Sequence, residues 1–201
     1  MTDSQGILDR ASILQVIGEW GIWRDTFRWD KLRATYTRNG RMTVSWFDGT
    51  ADDFVAGCQR MSVDTERRIL NQHLIGTSGV ELAGDRAVAE TRTTILARLA
   101  VDEVHCDVTM IGRFHDRFLQ EDGWRIAHRV VIFEKDSIAP VDPAVTFVAD
   151  EARLARYPEA YRWAGYFLAN RGMEVNLDLP KPGSPALERL YADGRAWLEG
   201  A

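Results

Sequence analysis

Asp25 and His73 are side chains of two types that together can move protons. A neutral imidazole, with an ordinary pKa of about 6.5, can accept or donate a proton near neutral pH. A carboxylate bonded to its second nitrogen fixes the tautomer and stabilises the protonated ring. Arg129 could add a third part, because a guanidinium can hold a developing anion through charge-assisted hydrogen bonds. Asp25, His73 and Arg129 are therefore candidate catalytic residues by the type of their side chains.

Each of these residues also has a structural explanation. A single histidine is more often structural or exposed than catalytic, and Asp25 could cap a second helix while also serving His73. Arg129 lies in phase with Val131 and Phe133 on an otherwise apolar strand face, where an unpaired guanidinium would be costly. Its partner is therefore either an internal carboxylate or a substrate anion, and the sequence leaves both open.

Large side chains that could wall a binding pocket are frequent, since the chain has seven tryptophans and eight phenylalanines. Aromatic residues at helical or strand spacing nevertheless belong to a core more often than to a pocket. Arg24 could be a surface residue or could lie at a pocket mouth. The candidate substrate contacts are Trp20, Arg24, Trp46, Met110 and Phe114.

Three helices are predicted in the N-terminal part from hydrophobic spacing and turn signals. They cover about residues 7–21, a segment with Phe27, Leu32 and Tyr36 that stops at Asn39-Gly40, and about residues 53–63, capped by Asp52 or Asp53. Asp25 falls just beyond the first helix. A strand at about residues 41–47 precedes the third helix.

Long antiparallel strands follow the helices. Turn residues predict one hairpin between about residues 80–82 and 87–99, and another between about 104–118 and 124–134. The last strand is apolar on both faces, so both need cover. We expect helices and a pocket on one face and a second subunit on the other.

The chain changes character beyond Pro140, where prolines interrupt two predicted helices. One helix contains Tyr161, Ala164 and Leu168, and the other contains Leu187, Leu190 and Leu198. We expect residues 1–139 to form the main domain, and residues 140–201 to form a helical extension. The extension should cover the sheet, the pocket mouth or a neighbouring subunit.

Three short motifs resemble those of the SnoaL-like family in the nuclear-transport-factor-2-like superfamily, especially scytalone dehydratase and lindane dehydrochlorinase. They are Trp23-Arg24-Asp25, Asn71-Gln72-His73 and Asp122-Gly123-Trp124-Arg125-Ile126, and the resemblance covers about residues 7–137. It implies an α+β cone, in which three N-terminal helices and a curved antiparallel sheet enclose a deep apolar cavity. The pairing of Asp25 with His73, as a histidine oriented by an aspartate, is also what the resemblance implies, and it puts Arg129 where the dehydrochlorinase has a catalytic arginine.

The motifs also depart from these two enzymes. Scytalone dehydratase has a tyrosine before its aspartate, a tyrosine on the first strand and a second histidine on a later strand. This sequence has Arg24, Val44, and Leu96 or Ala97 at those places. The dehydrochlorinase has a lysine where this chain has Trp20. Neither reaction can therefore be carried over unchanged.

The resemblance favours a cofactor-independent lyase that acts on a small hydrophobic cyclic or aromatic alcohol. Elimination of water is the parent chemistry, and carbon–carbon cleavage with release of formaldehyde resembles the reaction of diarylpropane lyases in this superfamily. A ketosteroid-type isomerase would use the same residues. The alternative outside catalysis is a module that binds a hydrophobic ligand, since this superfamily reuses its cone for binding.

The composition of the chain indicates which kinds of partner it is expected to have. Acidic residues outnumber basic ones, 30 to 25, and the arginines are scattered, so we expect no nucleic-acid partner. No long uncharged apolar segment or leader is visible, which favours a cytoplasmic protein without a membrane partner. We expect no cofactor, and a homodimer or homotrimer.

A metal site is not expected. His105 and Asp107 lie in phase on one strand with His115, but His128 has the opposite phase to Arg129 on its own strand. We interpret the three histidines as solvent-facing or interface residues. Two cysteines are too few for a disulfide framework or a four-thiolate zinc site.

Overall fold

The structure is a computed structural model that describes residues 3–63 and 70–200. Its helices are α1 (Asp3–Asp25), α2 (Trp29–Ala34), α3 (Ala51–Val63), α4 (Glu151–Leu154), α5 (Arg162–Asn170) and α6 (Pro185–Glu199), and a 3-10 turn at Glu159–Tyr161 precedes α5. Its strands are β1 (Tyr36–Val44), β2 (Phe47–Thr50), β3 (Leu70–Ala83), β4 (Arg86–Val101), β5 (Val104–Gln120) and β6 (Trp124–Pro140). No helix in these described ranges is long and apolar enough to cross a membrane.

The strands form one six-stranded sheet in the order β2-β1-β6-β5-β4-β3. Neighbours are antiparallel except for β1 and β6, which run parallel. Register shifts interrupt several pairs, one of them between Ile111 and Gly112, and such bulges increase bending and twist. Gly112 is required there, because a Cβ atom would lie 2.2 Å from the Ile132 carbonyl oxygen. The predicted α+β fold with a curved sheet is confirmed.

The main core lies between one face of this sheet and helices α1, α3 and α5. The hydrophobic spacing that predicts the first helix is a stripe of four residues, and all four are buried in this core: Ile13, Val16, Ile17 and Trp20. Burial of these apolar faces supplies the main driving force for packing the helices on the sheet. The helical C-terminal extension is present, and α5 belongs to the same core.

Helix α6 covers the opposite face of the sheet. Its Leu187 and Leu190 pack on Val130 and Ile132 of β6. The expectation that a second subunit covers this part of β6 is therefore wrong, because α6 of the same chain occupies it. Whether the protein forms a homo-oligomer stays a prediction.

His115 lies beneath α6 and is 2% exposed. A Cβ atom on Gly194 of α6 would come within 3.0 Å of its Nε2 atom. The interpretation of His115 as a solvent-facing or interface histidine is therefore wrong, because α6 of the same chain covers it. His105 is exposed, and His128 is half-buried beside Thr43, whose Oγ1 lies 2.9 Å from its Nε2.

Two N-terminal predictions also need correction. The second helix is only six residues long and ends at Ala34, so that Tyr36 and Asn39-Gly40 belong to β1. Tyr36 satisfies a helical spacing from Leu32, but it pairs with Ile126 across the β1–β6 ladder. The predicted strand at about residues 41–47 is the end of β1, a turn and the start of β2.

The third helix begins at Ala51, earlier than predicted, and Asp52 and Asp53 lie in its first turn. Oγ1 of Thr50 accepts a hydrogen bond from the main-chain N–H of Asp53 at 3.2 Å and donates to its Oδ2 at 2.7 Å. Thr50 therefore performs the capping that we had assigned to an aspartate.

Candidate active site

The C-terminal end of α1 presents three of the candidate residues next to β3. Trp20 and Arg24 are four residues apart and share one face of the helix. Asp25 is the last residue of α1. The sequence predicted that the first helix ends at about residue 21 and that Asp25 lies beyond it, and this boundary is wrong. Trp20 and Arg24 are buried, at 1% and 8% exposure.

Asp25 and His73 form a close pair. Nδ1 of His73 lies 2.6 Å from Oδ1 of Asp25, and the main-chain N–H of His73 donates to Oδ2 at 2.6 Å. β3 is at the edge of the sheet, where main-chain groups on the free side need another partner. The Asp25 carboxylate is that partner, and its second oxygen fixes the ring. Nε2 is then the ring nitrogen available to a ligand.

The surroundings favour a neutral His73 ring at pH 7. Burial lowers its pKa, the hydrogen bond and charge of Asp25 raise it, and the positive charges of Arg24 and Arg129 lower it, with burial the largest effect. In the neutral ring, Nδ1 carries the proton donated to Asp25 and Nε2 carries a lone pair. Nε2 of the neutral ring can therefore accept a proton.

Trp20 packs its ring edge-on against His73, with centroids 5.3 Å apart and planes at 89°. The indole is itself fixed, because Nε1 donates a 2.9 Å hydrogen bond to Oη of Tyr36. Burial raises the pKa of Tyr36, so its hydroxyl stays protonated. The imidazole thus has a rigid apolar neighbour on one side and a carboxylate on the other.

His73 lines a cavity of about 90 Å³. Since one water molecule requires roughly 10–15 Å³ on the same scale, the space suits a small organic molecule. Trp20, Arg24, Trp46 and Met110 line it, as the sequence suggested for substrate contacts. Phe114 does not line the cavity but packs behind Trp20, with ring centroids 5.3 Å apart.

Arg129 has an internal partner. Its Nε and Nη2 atoms each lie 2.7 Å from an oxygen of Asp116, and both side chains are fully buried. The guanidinium carbon lies 4.4 Å from the centroid of Trp20 and 4.1 Å from that of Phe114, behind the cavity wall. Of the two partners left open by the sequence, the structure contains the internal carboxylate, and Arg129 has no direct contact with the cavity.

Several cavity residues were not predicted. Asn71 shares the cavity-facing side of β3 with His73, and the two-residue alternation of a strand was a signal that could have found it. Cys58 of α3 also lines the cavity, and burial raises the pKa of its thiol to about 11. Phe27 lines it as well, with φ at 59°, a conformation that is rare for a residue with a side chain.

The C-terminal extension completes the cavity. Ala164, Phe167 and Leu168 of α5 lie in its wall. Asp136 of β6 fixes the start of α5, because its Oδ2 accepts the main-chain N–H groups of Trp163 and Ala164 at 2.8 and 2.9 Å. Covering the pocket is one of the positions that the sequence allowed for the extension, but nothing in the sequence identified Asp136 as the residue that holds it.

This geometry defines a protein of the nuclear-transport-factor-2-like class, with a helix-covered curved sheet and a histidine in an apolar cavity. Residues 5–130 match the family model of the SnoaL-like domain. The chain therefore belongs to the SnoaL-like family, as its motifs implied. The matched region contains Asp25, His73 and Arg129.

Individual relatives are distant. The chain is 28% identical to a PEP2-like protein of Fusarium vanettenii, with 96% of this chain and 87% of that protein covered. A putative scytalone dehydratase from Novosphingobium aromaticivorans is 14% identical with a TM-score of 0.57, covering 75% of this chain and 98% of that one. A hexachlorocyclohexane dehydrochlorinase, LinA, is 14% identical with a TM-score of 0.55, covering 74% and 99%. Both structures share the fold.

Proposed function

We propose that this protein is a cofactor-independent lyase that eliminates water from a small, mostly apolar alcohol. His73 is the acid–base residue and Asp25 positions it. The observation that carries the proposal is the 2.6 Å contact between His73 Nδ1 and Asp25 Oδ1 at the wall of the cavity. This pair leaves one nitrogen of an otherwise fixed imidazole for the ligand.

One imidazole is sufficient for the elimination. Nε2 of neutral His73 takes a proton from the carbon next to the hydroxyl-bearing carbon, and Asp25 stabilises the imidazolium that forms. The same proton then passes to the departing hydroxyl oxygen, so the carbon–oxygen bond breaks, a carbon–carbon double bond forms and water leaves. His73 returns to its neutral state without any external acid, base or oxidant.

The wall around His73 favours this proton transfer. Trp20, Phe54 and Phe133 contribute large apolar surfaces to the cavity, and the His73 side chain is only 8% exposed. Because water is largely excluded, the attraction between Asp25 and the imidazolium is screened less than it would be at the surface. The same wall selects a ligand with an apolar body.

Two substitutions test the proposal. A panel of cyclic and aromatic alcohols would be incubated with the protein, and new conjugated absorbance would be recorded. Asp25→Asn and His73→Gln should each lower turnover by about 10²–10⁴-fold, the usual contribution of a positioned acid–base group. Circular dichroism should show an unchanged fold.

His105→Gln is the matched control, because this histidine is exposed and lies outside the cavity lining. It should turn over substrate like the unmodified protein. Equal turnover by the Asp25→Asn, His73→Gln and His105→Gln variants would rule out the pair as the catalytic unit. If formaldehyde is found among the products in place of water, the same site breaks a carbon–carbon bond instead of a carbon–oxygen bond.

A further inference from the structure

Arg24 is a buried cation at the cavity with no acidic partner among the described residues. The residue is 8% exposed and lines the cavity. Within residues 3–63 and 70–200 it forms no ion pair, and its guanidinium carbon lies 6.0 Å from the ring centroid of Trp29. Arg129, which is also buried, contacts both carboxylate oxygens of Asp116. Among the described residues, Arg24 therefore has no carboxylate partner of the kind that Asp116 is for Arg129.

The charge of Arg24 is directed at the cavity from the α1 side. Through this charge Arg24 lowers the pKa of His73 on β3. Through its charge and a side-chain hydrogen bond it also opposes the burial that raises the pKa of the Cys58 thiol on α3. Asp25, the next residue along the chain, is engaged by His73. The guanidinium is thus left facing the space that α1, α3 and β3 enclose.

We propose that Arg24 is an anion-binding residue and that the ligand of this cavity is a small apolar molecule carrying a carboxylate. A buried guanidinium without a counter-charge is unfavourable, and a ligand carboxylate would supply that charge. The planar fork of arginine matches the two oxygens of a carboxylate. The mostly apolar wall accommodates the rest of the molecule.

This inference deepens the proposed function by naming the substrate class as small hydroxy acids. With the carboxylate on Arg24, the elimination at His73 would convert a hydroxy acid into an unsaturated acid and water. The anion site itself rests on Arg24 alone, so binding can be measured separately from turnover.

Benzoate and benzamide form a suitable pair of probes, since they share ring and size but only benzoate is charged at neutral pH. Calorimetric titration should show that the unmodified protein binds benzoate at least tenfold more tightly than benzamide. Arg24→Gln should abolish this preference, while Arg24→Lys should retain part of it. Thermal unfolding of each variant would verify that it is folded.

Arg28→Gln is the matched control, because Arg28 is exposed and contacts the Trp23 ring outside the cavity lining. It should keep the preference for benzoate. The inference is overturned if the unmodified protein binds both probes equally, or if Arg24→Gln still prefers benzoate. His73→Gln should lose turnover but keep the preference, so that a failed catalytic proposal and a failed anion site give different results.

Discussion

Both oxygens of the Asp25 carboxylate contact one residue, His73, whose ring Nδ1 lies 2.6 Å from Oδ1 and whose main-chain N–H donates to Oδ2 at 2.6 Å. The two residues are 48 positions apart, at the end of α1 and on the edge strand β3. The main-chain bond holds the carboxylate in place whichever protonation state the ring adopts. The pair therefore combines a structural connection with a titratable group.

The first prediction concerns the titration of His73. Because burial lowers its pKa more than Asp25 raises it, the ring should stay neutral down to a pH below the ordinary value of about 6.5. If the neutral ring is the active form, activity should be constant above this range and fall only at more acidic pH. Nitrogen-detected NMR titration of the imidazole measures the pKa without a substrate.

Asp25→Asn provides the control for this titration. Removing the carboxylate removes the contributions that raise the pKa, so the His73 midpoint should move to still lower pH. A midpoint that rises in the variant, or that lies above the ordinary histidine value in the unmodified protein, would contradict the assignment of burial as the dominant effect.

The second prediction concerns the buried pair of Arg129 and Asp116, which lie directly opposite each other on β5 and β6. Asp116→Asn leaves a fully buried guanidinium without its counter-charge and should lower the free energy of unfolding by about 3–5 kcal/mol. The double variant Asp116→Leu with Arg129→Met should lose less free energy of unfolding than Asp116→Leu and Arg129→Met lose together when each is made alone. Urea denaturation measures all of them, and a loss below about 1 kcal/mol for Asp116→Asn would contradict a structural role.

The sequence could predict the pair Asp25 and His73, because each residue lies inside a local motif that a resemblance can match. It could place Arg129 on an apolar face, but it could not choose its partner, since Asp116 is 13 positions away and the choice depends on strand register. The absence of a carboxylate partner for Arg24 among the described residues is likewise a property of packing. No local pattern shows whether a cation has a neighbour of opposite charge.

The fold was predictable where local signals agree. The stripe on α1 and the turn residues around Gly84 and Gly123 indicate the helix and both hairpins. Around Leu32 and Tyr36 the same spacing suits a helix or a strand, and tertiary pairing decided for the strand. The position of α6 depends on long-range packing, which is why His115 was wrongly expected at a surface or interface.

The third prediction concerns Asp136, whose pKa burial raises to about 6. A raised pKa means that the folded chain holds the proton more firmly than the unfolded chain. The resulting stability is complete below the ordinary value of about 3.8 and is lost as the pH rises through about 6. Asp136→Asn removes this titration, so its stability relative to the unmodified protein should increase between about pH 4 and pH 6.

Asp136→Ala is the companion variant. It removes the same titration as Asp136→Asn, and it also removes the oxygen that accepts from Trp163 and Ala164. Relative to Asp136→Asn it should therefore be less stable at every pH by about 1 kcal/mol, as loss of a helix cap predicts. Thermal unfolding across the pH range compares both variants. A pH-independent difference between Asp136→Asn and the unmodified protein would refute the titration of Asp136 in this window.

The last prediction tests how closely α5 must pack to close the cavity. A Cβ atom on Gly165 would lie 2.5 and 2.6 Å from Cδ1 and Cγ of Tyr157. The ring can clear this position only by leaving its χ1 rotamer, and the Cβ atom of Tyr157, which χ1 rotation does not move, would still lie 3.0 Å away. Gly165→Ala should therefore destabilise despite the gain of about 1 kcal/mol in helix propensity, since overpacking costs about 1–3 kcal/mol.

Gly18→Ala separates the two effects. Gly18 lies within α1, and its Cβ atom would meet nothing within 4 Å, so the substitution should stabilise by up to about 1 kcal/mol. Because α5 contributes Ala164 and Phe167 to the cavity wall, Gly165→Ala should also weaken ligand binding, and Gly18→Ala should not. Urea denaturation and a binding titration decide both points. If Gly165→Ala stabilises the protein, Tyr157 can move away and close packing of α5 at Gly165 is not required.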